Sequence, residues 1–279
     1  IESDAPGCRK LTREISVVDG LAGVEIRDTV DKEAVRDKEG VHFGFAFNVP
    51  DGVMRMDLAW AVIQPERDQL PGACKNWFTV QRWVDISNTD FGMTWIPLDA
   101  PLVEVGGMTA DRIGSLSNPA DWLSRLAPSQ TLYSWVMNNH WHTNYRAEQE
   151  GPVTFRYFLQ PHAAFDYAAA YRAGVERSQP LLASAVMADE PVPAPLVSLA
   201  PADGVVVTSL KPSGDGQGVI LRVFNPTDRS QRADLRWRAG TTPRMHYCDS
   251  LETPAAELVG PIELPAWGIA TIRCDGLAE

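Results

Sequence analysis

An all-β chain in two units is what this sequence predicts, and three observations carry that reading. Val41, Phe43, Phe45 and Phe47 alternate with His42, Gly44 and Ala46, which puts four apolar side chains on one face of a strand. Val153, Phe155, Tyr157 and Leu159 repeat the same period. Asp189-Glu-Pro-Val-Pro-Ala-Pro195 carries three prolines in five residues, a density that no sheet interior accepts. A boundary there gives a larger unit over residues 1–195 and a smaller one over 196–279.

The remaining elements follow in chain order. Ile15 to Val18 and Leu21 to Ile26 read as short strands around Asp19-Gly20, a two-residue hairpin signal. Arg27 to Gly40 alternates acid and base and reads as a solvated connection with a plain charged face; Asp31-Lys32 and Lys38-Glu39 positioning a loop is the competing reading. His42, on the polar side of its strand, reads as a sheet-surface residue. Met54 to Ile63 is a further strand, broken by Gln64 to Gly72, a polar loop long enough to reach toward a site. Thr79 to Ile86, Gly92 to Ile96 and Asp99 to Val105 are strands, and Thr109 to Pro128 is irregular. Phe165, Ala169, Arg172 and Glu176 fall at helical spacing, so a helix is expected between His162 and Gln179. Beyond the prolines, Val205–Leu210, Val219–Phe224, Ala233–Trp237, Met245–Cys248, Ile262–Leu264 and Ile269–Cys274 are evenly spaced short strands, the pattern of a small antiparallel sandwich. Val206, Leu221, Val223, Leu235 and Ile272 are its expected core. Ser213-Gly-Asp-Gly-Gln-Gly218 lacks the terminal Lys and following helix of a phosphate loop and reads as a hairpin turn.

Composition limits the partners. A hydrophobic share of 44% and a charged share of 22% are globular values. A net charge of -11 disfavours nucleic acid and anionic membrane surfaces, and no apolar run has the length of a membrane span. Cys8, Cys74, Cys248 and Cys274 form no CxxC pair, so they read as buried thiols in a reducing, cytoplasmic compartment. The opening Ile1-Glu-Ser-Asp reads as the start of a fragment of something longer.

Chemistry concentrates between Ser134 and Leu159. An apolar run (Trp135, Val136, Met137) enters and the alternating run from Val153 leaves. Between them stands Asn138-Asn-His-Trp-His-Thr-Asn-Tyr-Arg146. Amides and a guanidinium hydrogen-bond hydroxyl groups, and an indole face covers the apolar face of a sugar ring. Asn139, Trp141, Asn144 and Arg146 are therefore the candidate carbohydrate-binding residues, on a turn between two strands. Asn138 and Asn144 capping strand ends, with Trp141 packed in the core, is the competing reading of the same pattern. His140 and His142, two apart on extended chain, would face one side, but no third metal ligand accompanies them.

The same run, followed by Phe155-Arg-Tyr157, resembles the C-terminal β-region of glycoside hydrolase family 38, the α-mannosidases. Further pieces resemble that family in its order. They are Asp31-Lys32 through Lys38-Glu-Gly-Val-His-Phe43, Gln69-Leu-Pro-Gly-Ala73, Val80-Gln-Arg-Trp-Val-Asp85, Asp99-Ala-Pro-Leu102 and Leu221-Arg-Val-Phe-Asn225. The resemblance implies a large sandwich of the galactose-mutarotase kind, lacking its first strands, followed by a small terminal β domain. It also implies that nucleophile, acid and a zinc-like metal belong to an N-terminal catalytic barrel of the same polypeptide. This chain would then hold no cofactor and no catalytic residue, and its partners would be that barrel and a mannose-containing glycan.

The residues themselves agree on one point: a retaining glycosidase needs two carboxyl groups roughly 5 Å apart, and no acidic pair here has an assignable pattern. The reading is a non-catalytic β region that shapes the sugar cleft of a metal-dependent barrel. A free-standing carbohydrate-binding module and a structural or oligomerisation domain are the alternatives. Incubating the purified chain with an aryl mannoside and divalent metal should therefore release no phenol; metal-dependent release would place the catalytic groups in this chain.

Overall fold

The computed structural model describes residues 1–110, 118, 122–139, 146–179, 181–186, 194–201, 203–238 and 242–277. It is built almost wholly of antiparallel strands and divides into two units, Ile1–Phe165 with Ala173–Gln179, and Asp166–Arg172 with Pro180–Glu279. The division runs through the one helix among the described residues, α1 (Tyr167–Ser178). Asp166 caps that helix, its Oδ1 accepting the Ala169 N–H at 2.7 Å. The helix starts later than its spacing implied because the preceding strand runs on to His162. Most of the proline-rich segment, residues 187–193, lies outside the described residues.

The first unit is a two-sheet sandwich. One sheet has eight strands, ordered β1 (Glu2–Ala5), β2 (Cys8–Ser16), β3 (Val24–Lys32), β12 (Gly151–His162), β9 (Gly92–Pro97), β8 (Val84–Ser87), β5 (Val53–Leu58) and β6 (Ala61–Ile63). The other has four, ordered β4 (Gly40–Ala46), β11 (Thr131–Asn138), β10 (Leu102–Val105) and β7 (Phe78–Thr79). The period-2 strands named above supply the facing surfaces. Phe43 packs against Phe155 and Tyr157 at ring distances of 6.1 and 6.3 Å, and Phe45 against Trp95 and Tyr157 at 5.3 and 4.7 Å. The Tyr157 hydroxyl donates to Ser134 Oγ at 3.0 Å, so its polar end is satisfied inside the core.

Three expectations are corrected here. Arg27 to Lys32 is not a connection but the second half of β3, and the alternation places Ile26, Asp28, Val30 and Lys32 inward. Burial of two charges is tolerated because each has a partner. Arg13 donates twice to Asp28, both at 2.7 Å, and Lys32 pairs with Glu39 at 2.5 Å. The hairpin around Asp19-Gly20 exists, but its strands end at Ser16 and begin at Val24, so the tip is longer than two residues. His42 is not a surface residue. Its Nε2 meets Glu104 Oε1 at 2.8 Å, its ring stacks on Trp135 at 5.7 Å, and Glu104 also accepts from the N–H groups of Thr109 and Ala110. Thr109 and Ala110, in the chain that follows β10, thus close over Glu104 on this polar side of the four-stranded sheet.

The second unit pairs a five-stranded sheet with a three-stranded one. The first runs β14 (Val206–Pro212), β15 (Gly218–Phe224), β20 (Ile269–Asp275), β17 (Arg244–Cys248), β18 (Pro254–Glu257). The second is β13 (Val197–Ala200), β16 (Gln231–Trp237), β19 (Ile262–Leu264). Leu221, Val223 and Ile272 are fully buried as expected and Leu235 packs at the margin. Val205, one residue before its strand, takes the buried place expected of Val206. All four cysteines are free thiols, but only Cys274 is buried as expected; Cys8, Cys74 and Cys248 are half-buried. No described helix is long and apolar enough to cross a membrane.

Asp57 of β5 is a buried acid with an incomplete set of partners. It is 2% exposed and its Oδ2 has no hydrogen bond among the described residues. Burial pushes its carboxyl up from the ordinary 3.8 to about 7, against the opposing pull of the Arg82 charge and backbone N–H. A raised carboxyl pKa means that the folded state holds the proton longer than the unfolded one. This contribution to stability is complete below about pH 4 and is lost as pH rises toward 7. Asp57→Asn, which stays neutral, should gain in melting temperature relative to the parent between pH 4 and 7 and hold that gain above. A difference that does not change with pH would contradict this assignment.

Candidate functional site

Strands of both sheets end at one mouth of the large sandwich. Lys32, the last residue of β3, lies opposite Gly151, the first of β12, while Asn138 ends β11 opposite Gly40 of β4. Segments 33–39 and 139–150 leave from these ends, and a cavity of about 400 Å³ opens beside them. Most of its lining residues are polar, among them Lys32, Glu39, Asn138, Asn139, Arg146 and Glu150, with Val41 and Met137 beside them. Glycine is required at position 40 because a Cβ there would fall 2.9 Å from Trp135 Nε1. Gly151 has φ +94°, a left-handed turn into β12 that side chains disfavour.

Asn139 organises this mouth. Its side-chain Oδ1 accepts the Glu39 N–H at 2.7 Å, and its backbone N–H donates to the Glu39 carbonyl at 3.2 Å. Its Nδ2 faces three backbone carbonyls, those of Val35 at 2.9 Å, Asp37 at 2.9 Å and Ala147 at 3.1 Å. An amide has two N–H donors, so three acceptors leave none for a sugar hydroxyl. The Nδ2 donors of Asn139 are thus committed to the loops on both sides, which this residue positions.

A charged network surrounds that clamp. Lys32 is 3% exposed, and its ammonium donates to the carbonyls of Gly7 and Glu33 at 2.9 and 3.1 Å as well as pairing with Glu39. These three partners match its three donors. Nearer to solvent, Arg146 Nη2 donates to both oxygens of Glu150, at 2.7 and 3.0 Å, and lies 3.4 Å from Glu148, whose carboxylate also takes two bonds from Arg36. Arg36 first, and then Arg146, hold the Glu148 carboxyl below its usual range. The Arg146 side chain keeps 65% exposure, so its guanidinium is oriented yet open to solvent.

Of the sequence candidates, the structure brings Asn139 and Arg146 to one cavity. Trp141 and Asn144, with His140 and His142, lie outside the described residues. Lys32, Glu39, Glu148 and Glu150 were missed as lining residues; the only signal was that Asp31-Lys32 and Lys38-Glu39 flank a loop. Among the described residues no three His, Cys, Asp or Glu side chains stand where they would share a metal ion. Replacing Asn139 with Ala should cost about 1–2 kcal/mol in urea unfolding of the first unit, because part-buried backbone groups lose their partner. Asn139→Asp should cost at least as much, since a carboxylate would face three carbonyl oxygens. If both variants unfold like the parent, Asn139 is not a structural clamp.

Three comparisons bear on identity. Residues 204–272 match the Glycosyl hydrolases family 38 C-terminal beta sandwich domain. No curated protein matches the sequence. Among solved structures, an alpha-mannosidase from Enterococcus faecalis V583 superposes with a TM-score of 0.66 at 18% identity over 95% of this chain. A protein in the Glycosyl Hydrolase Family 38 from Enterococcus faecalis gives 0.64 at 18% identity over the same share. The chain spans only 28% and 29% of those two proteins. The match over 204–272 and the fold over nearly the whole length make this chain similar to the C-terminal β-sandwich region of glycoside hydrolase family 38, the family of the α-mannosidases.

Proposed function

We propose that this chain is the non-catalytic β region of an α-mannosidase-like glycoside hydrolase, and that the cleft at Asn138–Glu150 completes the sugar site of a catalytic domain in the same polypeptide. The observation that carries the reading is Arg146, an exposed guanidinium at the edge of a 400 Å³ polar cavity, held by Glu150 and Glu148 on a loop anchored through Asn139. A ligand of mannose type suits such a lining. Its hydroxyls accept from Arg146, and the carboxylates of Glu39 and Glu150 accept from them in turn. Arg146 would orient the sugar and transfer no proton, because ion pairing with Glu150 raises its already high pKa. Nucleophile, acid and a divalent metal such as zinc are assigned to the catalytic domain, outside this chain. The cytoplasm is the proposed compartment, in keeping with four free thiols.

A free-standing sugar-binding module would need the cleft to hold a glycan by itself, and a structural or oligomerisation domain would not need Arg146 at all. In the complete enzyme, Arg146→Ala should lower kcat/KM for a mannoside by about 1–3 kcal/mol of transition-state binding, with the melting temperature unchanged. Lost stability with unchanged kinetics would make the cleft scaffolding.

A further inference from the structure

The large sandwich has a second mouth, and the long polar loop singled out in the sequence borders it. β11 runs toward the Asn138 cleft, so its start and the end of its neighbour β10 lie at the opposite end of their sheet. β5 alternates in direction through β8 and β9 with β12, which begins at the cleft, so β5 also starts at that far end. A cavity of about 310 Å³ sits there, walled by Val105 and Leu126 and edged by the polar groups of Gln64, Glu66, Arg125 and Ser129. Eight residues of β11 at about 3.3 Å each separate the two ends. One sugar ring cannot touch both.

The loop that borders this cavity is braced. Gln64 N–H donates to Asp68 Oδ2 at 2.8 Å and Glu66 N–H to Gln69 Oε1 at 3.2 Å. Glu66 Oε1 accepts the Leu126 N–H at 2.8 Å and pairs with Lys75 at 2.8 Å. The groups that edge the cavity still have capacity. Among the described residues Glu66 Oε2, the Gln64 side-chain amide and the Arg125 guanidinium make no hydrogen bond. Ser129 Oγ accepts from Thr131 N–H at 3.1 Å, which leaves its O–H to donate. Donors and acceptors thus stand over apolar walls, and the lining carries one carboxylate and one guanidinium, with no net charge. A volume near the lower limit for a small-molecule site fits a single ring.

We propose that this second mouth binds one neutral sugar ring, at a site distinct from the cleft at Arg146 and independent of the function assigned to that cleft. Gln64 and Arg125 would donate to ring hydroxyls, Glu66 Oε2 would accept from one, and the Val105–Leu126 wall would cover an apolar ring face. The test is a titration of the isotope-labelled chain with methyl α-D-mannopyranoside up to about 50 mM, above the millimolar dissociation constant ordinary for so few contacts, followed by amide chemical shifts. Saturable shifts should appear in Gln64–Gln69 and Arg125–Ser129, persist in Arg146→Ala, and weaken at least tenfold in Gln64→Ala combined with Arg125→Ala. If the double variant loses its dispersed spectrum, Gln64→Ala alone, a loop side chain without internal partners, should still weaken binding several-fold. Methyl α-glucoside giving the same shifts would support the site equally. No saturable shift in these segments, shifts that Arg146→Ala abolishes, or tighter binding of mannose 6-phosphate than of the neutral glycoside would each overturn it.

Discussion

Two loops that cross between sheets have no ladder to satisfy their backbone groups, and in the first unit one side chain does that work. The carbonyls of Val35, Asp37 and Ala147 and the N–H of Glu39 all turn to the amide of Asn139, which is 9% exposed. Unpaired, such groups would each carry a desolvation cost of about 1–3 kcal/mol. One planar amide within hydrogen-bonding distance of all four ties segment 35–39 to residue 147. Arg146, one residue before Ala147, is held next to that tie. The proposed sugar contact depends on that geometry as well as on the guanidinium.

Charge burial follows the same logic elsewhere in the sandwich. Asp28 with Arg13, Lys32 with Glu39 and Glu104 with His42 occupy or adjoin sheet positions where apolar residues would serve stability as well. Lys32 and Glu39 stand at the mouth and shape it. Asp28 and Glu104 lie deeper, where Asp28 ties β3 to Arg13 of β2 and Glu104 holds the N–H groups of Thr109 and Ala110. Asp57 differs from them: one oxygen is unmatched, and burial raises its carboxyl pKa, so the folded protein holds that proton to higher pH than the unfolded chain.

The legible parts of the sequence were those in which periodicity and burial agree. Phe43 and Phe45, with Phe155 and Tyr157, form the inter-sheet core because their alternation has no competing explanation. Leu221, Val223 and Ile272 do the same in the second unit. Illegible were positions where a charge occupies an inward site, since pairing partners such as Glu39 for Lys32 come from another segment and no local pattern announces them. The stretch Arg27–Lys32 therefore reads locally as a solvated link, and His42 as a surface residue. Asn139 shows the limit at the site: its residue type suits a sugar and a backbone clamp equally, and only the positions of three carbonyls decide. The family resemblance carried by short motifs along the chain rests on firmer ground in the second unit, where residues 204–272 match the family domain directly; elsewhere the fold alone is shared.

The most direct test is a crystal structure of this β region joined to the proposed catalytic domain, with a non-hydrolysed mannoside bound. The account predicts the Arg146 guanidinium within hydrogen-bonding distance of a sugar hydroxyl, with the Asn139 amide still turned to Val35, Asp37 and Ala147. A sugar bound away from the Asn138–Glu150 mouth, or an Asn139 side chain rotated to meet it, would contradict the account.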